Sequence, residues 1–172
     1  MHPCVHRNRG IPQRGERSSN PHVAWNFTPL PAGWKSKGGG LSSIHQIALG
    51  NWTQRGLAYY SGKAVYKKVF DFGPIKANQR YLLDLGAVGV AARVWLNGKL
   101  VGSRLWKPYT FEITDFLQPG ENTLTVSVAN TLANYYSQFD QLSDAPLYKG
   151  GNQPWMLPSG LLGPVEVRGY EN

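Results

Sequence analysis

The stretch 82–130, LLDLGAVGVAARVWLNGKLVGSRLWKPYTFEITDFLQPGENTLTVSVAN, constrains the fold more than any other part of this chain. Two apolar-alternating arms meet at Asn97-Gly98, the dipeptide that most favours a two-residue hairpin turn, because both residues tolerate positive φ. A second turn signal, Pro119-Gly120-Glu121-Asn122, sends the chain back into a run of period two. The result is a stack of antiparallel strands. Further strands are expected at 64–72, 80–85, 90–96, 99–105, 109–113, 122–129 and 164–168, with one helical turn over 114–117. In 64–72, Tyr66, Phe70 and Phe72 share one parity and are expected to face the core. Lys68 breaks that parity and marks an edge or an end. Trp95 and Phe111 are also read as core aromatics. No window sustains a period of 3.6, so the class is all-β, with at least seven antiparallel strands in two packed sheets.

At 172 residues the chain suits one domain that needs no disulfide staple. Cys4 is the single cysteine, so no intramolecular pair can form. Residues 1–24 are polar, basic and aperiodic, which gives a disordered leader and an irregular approach over 1–40 and a β-sandwich over 41–172. Trp25, Phe27 and Trp34 are too apolar for an idle leader and are expected to pack on the sandwich. No apolar run nears the roughly 20 residues of a membrane helix, and the first residues lack a signal-peptide core, so no membrane partner is expected. The formal charge of +8 invites a nucleic-acid reading, but four arginines lie in the first 22 residues and the remaining charge is scattered, as on a solvated surface. Nucleic acid is therefore not an expected partner.

Longer wording points to a family. Trp52, Tyr60-Ser61-Gly62 and Ala64-Val65-Tyr66 are followed in order by Leu83-Asp84-Leu85-Gly86, Val94-Trp95-Leu96-Asn97-Gly98, Trp106-Lys107-Pro108, Pro119-Gly120-Glu121-Asn122, Val126-Ser127-Val128-Ala129-Asn130 and Ser159-Gly160-Leu161-Leu162-Gly163-Pro164-Val165. The ordered set covers roughly two thirds of the chain and resembles the sugar-binding domain of family 2 glycoside hydrolases and their relatives. The Trp-Lys-Pro and SGLLGPV wording is closest to the module of family 106 α-L-rhamnosidase-type bacterial enzymes. The resemblance implies an antiparallel jelly roll of the galactose-binding type, in a periplasmic or extracellular parent glycosidase. Many such sandwiches hold a structural Ca²⁺, so calcium is the one cofactor the resemblance allows.

Glycoside hydrolysis needs two carboxyl groups across a cleft. Of the ten acidic residues, only Asp140 and Asp144 share a loop that could form such a site, and capping duty is the simpler role for both. No catalytic residue is assigned, and catalysis is expected of a parent enzyme's catalytic domain rather than of this chain. There is no G-x-S-x-G elbow, and His2, Cys4 and His6 match no zinc spacing. The sequons at Asn26 and Asn51 are read as incidental.

The interval 130–158 has no strand signal and exceeds ordinary loop length, which marks it as functional or disordered. Its aromatics, amides and carboxylates suit a sugar, with rings on the apolar face and polar groups on the hydroxyls. The expected carbohydrate-binding residues are Trp106, Asn130, Asn134, Tyr135, Tyr136, Asp140 and Trp155, acting at the loop end rather than on the sheet faces. Asn130 is equally suited to bonding loop backbone. The function expected is a non-catalytic module that binds carbohydrate or shapes its site. The alternatives are a scaffold that only packs on a catalytic domain and an autonomous lectin-like module.

Overall fold

A computed structural model describes residues 25–29, 45–137 and 156–171. Its strands are β1 (Trp25–Pro29), β2 (His45–Ile47), β3 (Lys63–Phe72), β4 (Gln79–Asp84), β5 (Ala87–Gly89), β6 (Ala91–Leu96), β7 (Lys99–Arg104), β8 (Thr110–Glu112), β9 (Gly120–Ala129), β10 (Gly160–Gly163) and β11 (Glu166–Glu171). One sheet has six strands in the order β2-β1-β3-β9-β6-β7. Opposite it lie a three-stranded sheet, β11-β4-β8, and a two-stranded one, β10-β5. All strand pairs are antiparallel, and the layers close on one core as a β-sandwich.

Alternation builds that core. Ala64 and Tyr66 of β3, Val94 and Leu96 of β6, and Leu124, Val126 and Val128 of β9 point inward from the six-stranded sheet and are buried. They meet Tyr81 and Leu83 from β4, Phe111 from β8 and Leu161 from β10, with Leu85 and Ile113 beside them. β3 and β9 pair without interruption from Lys63↔Ala129 to Phe72↔Gly120. Asn97 and Gly98 turn the β6–β7 hairpin with φ of 52° and 79°, the double positive φ that this dipeptide tolerates.

Lys68 keeps the inward parity near the open end of the sandwich, with its ammonium 5.3 Å from the centroid of the Trp25 ring. Partial burial pushes that amine below its ordinary range. Strand β1 lies within the segment that periodicity left irregular; it is held by pairing with β3 rather than by a pattern of its own. Trp34 lies outside the described residues. Trp95 departs from its reading as a core residue. Its neighbours Val94 and Leu96 take the inward parity, so Trp95 stands half-buried on the outer face with exposed Arg93. β5 and β10 were not foreseen, and neither was the short helix α1 (Ala133–Tyr136). No helix among the described residues is long and apolar enough to cross a membrane.

Candidate functional site

Strand register gathers several loops at one end of the six-stranded sheet. Lys63 and Ala91 both face Ala129, and Ala92 faces Arg104. Ser61, Val90, Trp106 and Asn130, a few residues beyond these positions, therefore leave the sheet at the same rim. Ser159 joins them at the start of β10, where Gly160 faces Gly89.

Asn130 is the first buttress of this rim. Its Oδ1 accepts from Gly62 N at 2.7 Å, and its Nδ2 donates to Tyr60 O at 2.8 Å and to Ser159 Oγ at 3.1 Å. Asn134, buried on α1, clasps Leu157 from both sides: Nδ2 donates to Leu157 O at 2.9 Å, and Oδ1 accepts from Leu157 N at 2.7 Å. The same Nδ2 reaches Ser159 Oγ at 3.0 Å. Ser159 Oγ thus accepts two amide donors while donating to Leu157 O. Asn51 Oδ1 accepts from the backbone of Thr53 and Ser159, and Ser61 Oγ accepts from Tyr135 N. Beneath them Tyr66 OH accepts from Trp52 Nε1 at 2.6 Å and from Leu161 N at 3.1 Å. Among the described residues no buried side-chain nitrogen or oxygen lacks a partner.

On this frame the rim presents carbon. Trp106 is 73% exposed and Leu105 63%, both after the end of β7, and Leu157, Leu132, Tyr59 and Val90, on segments that leave the strands at this end, are exposed as well. Isolated exposed apolar residues are ordinary, but clustering at one end marks a contact surface. Tyr135 and Tyr136 stand half-buried with their rings 5.4 Å apart, edge to face. Val90 has φ of 127°, a conformation a β-branched residue adopts only under constraint. Its carbonyl accepts from Tyr109 OH.

Of the residues expected to bind sugar, Trp106, Tyr135 and Tyr136 thus present rings at the rim. Asn130 and Asn134 are brought to the same place, but their amides are spent on backbone and on Ser159. Asp140 and Trp155 lie outside the described residues, as do Asp144, His2, Cys4 and His6. Of the frame's other partners, Ser61 and Ser159 carry only the turn signal of a serine before glycine, and Asn51 stands out in the sequence only as an incidental sequon.

Among the described residues, two pairs of acids face each other across strands, Asp71 with Glu121 and Asp84 with Glu166. Arg168 bridges Asp84 and Glu166 at 3.3 and 3.0 Å, and Asp84 Oδ1 also accepts from Gly86 N. Among the described residues no three His, Cys, Asp or Glu side chains gather as metal ligands, so these residues provide no carboxylate cluster for Ca²⁺.

Burial pushes the Tyr60 hydroxyl up to about 12 from 10.0. Below pH 10.0 both folded and unfolded chains keep this proton; between there and about 12 only the unfolded chain releases it, so stability falls as pH rises through that window. Tyr66 and Tyr109, raised by the same cause, act in the same direction. Denaturation measured in steps up to about pH 12 should show this decline, and Tyr60→Phe should flatten it. An unchanged slope in the variant would mean that Tyr60 is not desolvated.

Comparison with known proteins agrees with this architecture. The family described as glycosyl hydrolase 2 galactose-binding domain-like matches residues 48–156. A candidate beta-glucuronidase of Formosa agariphila is 42% identical over 100 residues, which is 55% of this chain and 8% of that protein. The rhamnosidase structure from Novosphingobium sp. PP1Y superposes with a TM-score of 0.69 at 29% identity, covering 94% of this chain and 16% of that one. A Bifidobacterium dentium beta-glucuronidase complexed with coumarin-3-O-glucuronide gives 0.60 at 26% identity, covering 85% of this chain and 28% of that one. In each comparison the match takes up only a small part of the larger protein.

Proposed function

The chain belongs to the glycosyl hydrolase 2 galactose-binding domain-like family, and from that premise we propose that it is a non-catalytic module of a bacterial glycosidase whose rim binds carbohydrate or shapes its site. The observation that carries this reading is the gathering of exposed rings and aliphatic side chains over a hydrogen-bonded frame at one end of the sandwich. A ring held on a rigid support can stack on a pyranose face at little entropic cost. The parent activity proposed is hydrolysis of a rhamnoside or a β-glucuronide, the substrate classes named for the relatives above. The catalytic groups then belong to another domain of the parent, in keeping with the bridged acids here.

A specific observation also favours the scaffold alternative. The Asn130 and Asn134 amides, the groups best suited to sugar hydroxyls, are turned inward, and what remains at the rim is largely apolar. Such a surface also suits packing on a catalytic domain. Chemical-shift mapping with rhamnose- and glucuronate-containing oligosaccharides separates the two. Sugar binding predicts perturbations around Trp106 and Tyr135, with Kd of about 0.1–1 mM, and a severalfold loss in Trp106→Ala without unfolding. No perturbation by any ligand would leave the scaffold reading.

A further inference from the structure

The outer face of the six-stranded sheet is independent of the rim and has a chemistry of its own. In one row across the sheet Lys67 faces Thr125, which faces Trp95. In the next row Ser127 faces Arg93. All point away from the core, because their strand neighbours Tyr66, Val94 and Val126 are buried. Arg93 donates through Nε to Ser103 Oγ at 3.0 Å, which steadies the guanidinium and leaves its terminal nitrogens directed elsewhere. Among the described residues neither Lys67 nor Arg93 has a carboxylate within ion-pair distance. Lys63 on one side and the opposed pair Asp71 and Glu121 on the other share this parity but lie four residues from the Lys67–Thr125 row, so the charges nearest Trp95 on this face are Arg93 and Lys67.

We infer that this face, centred on Trp95 with Lys67 and Arg93 beside it, binds a polyuronate chain, with pyranose rings on the indole and carboxylates at the two cations. Charge complementarity selects the occupant. A guanidinium fork takes a carboxylate through paired N–H donors, the lysine ammonium provides a second charge, and Thr125 and Ser127 offer hydroxyls to the sugar between them. With strands about 4.8 Å apart, Lys67 stands roughly 10 Å from Trp95 across Thr125. That spacing spans more than one sugar unit, which favours a chain over a monosaccharide.

The test is calorimetric titration of the full chain with oligogalacturonate at low ionic strength, with thermal melting as a control for folding. Trp95→Ala should weaken binding about tenfold, and Lys67→Gln and Arg93→Gln about threefold each. Added salt should weaken the wild type and affect Lys67→Gln less. Chemical-shift mapping with the same oligogalacturonate reads the two places separately: perturbations centred on Trp95 belong to the face, and perturbations confined to Trp106 and Tyr135 would assign the binding to the rim and overturn the proposal. Wild-type affinity in Lys67→Gln and Arg93→Gln, equal binding of a neutral oligosaccharide, or equal binding of heparin or duplex DNA would each overturn the assignment. So would a concentration-dependent dimer dissolved by Trp95→Ala, which would assign the face to a second copy of this chain.

Discussion

Replacing Asn122 with alanine is expected to destabilise the domain by about 2–3 kcal/mol, as the loss of a fully buried amide and its hydrogen bonds. Asn122 is fully buried, and its amide makes four contacts within 3.0 Å. Oδ1 accepts from Asn97 Nδ2 and Gln118 N, while Nδ2 donates to the carbonyls of Gln118 and Gly120. Asn97 in turn donates to Phe116 O and accepts from Thr123 N, so the β6–β7 turn and the entry to β9 are tied through one side chain. Alanine removes all four bonds at once, leaving the Asn97 amide and the backbone of Gln118 and Gly120 to find water in place of Asn122. The urea midpoint should drop while the denaturant slope stays constant. Asn122→Asp adds a chemical signature, because at neutral pH its carboxylate would face two carbonyls. That variant should gain stability on mild acidification, which the alanine variant should not. A loss below about 1 kcal/mol in Asn122→Ala would mean that the network contributes little.

The second large effect is expected at Gly160, where alanine should cost about 3 kcal/mol or more through strain and overpacking together. Gly160 has φ of +104°, and an added Cβ would lie 2.5 Å from Nε1 and 2.7 Å from Cδ1 of Trp52. The indole cannot retreat: it is fully buried, its nitrogen bonds Tyr66 OH, and its ring packs edge to face on Tyr60 at 5.4 Å. Gly56 is the matched control, with φ of +78° and nothing within 4 Å of an added Cβ. Gly56→Ala should show backbone strain alone, about 1 kcal/mol. Equal losses at the two positions would show that the Trp52 clash relaxes freely.

Legibility in the sequence followed the reach of each signal. Asn97-Gly98 and the strands around it were readable because a turn dipeptide and a period of two are local properties. β5 and β10 are too short and too rich in glycine to display a period, and they exist because each pairs with the other from a distant part of the chain. Parity was visible in β6, but both parities carry apolar residues, Ala92, Val94 and Leu96 on one and Ala91 and Trp95 on the other. Arg93 was the only residue that could have indicated which side meets water. At the rim, composition suggested sugar-directed amides. Whether an asparagine bonds a ligand or a loop depends on what the fold brings beside it, and Leu157 and Ser159 lie more than twenty residues from both asparagines.

The Asn134–Leu157 clasp also bears on how the long interval after α1 is closed. It fastens the two ends of the intervening chain to each other and, through Ser159, to Asn130 on the main sheet. Closing the loop is thus the work of residues outside it. Once the ends are fixed, doubling the length between them costs only about 0.6 kcal/mol. The closure entropy of the interval between Ser137 and Met156 is therefore only weakly sensitive to its length. The clasp thus carries the closure of this interval on three side chains, Asn130, Asn134 and Ser159, all of which lie outside it.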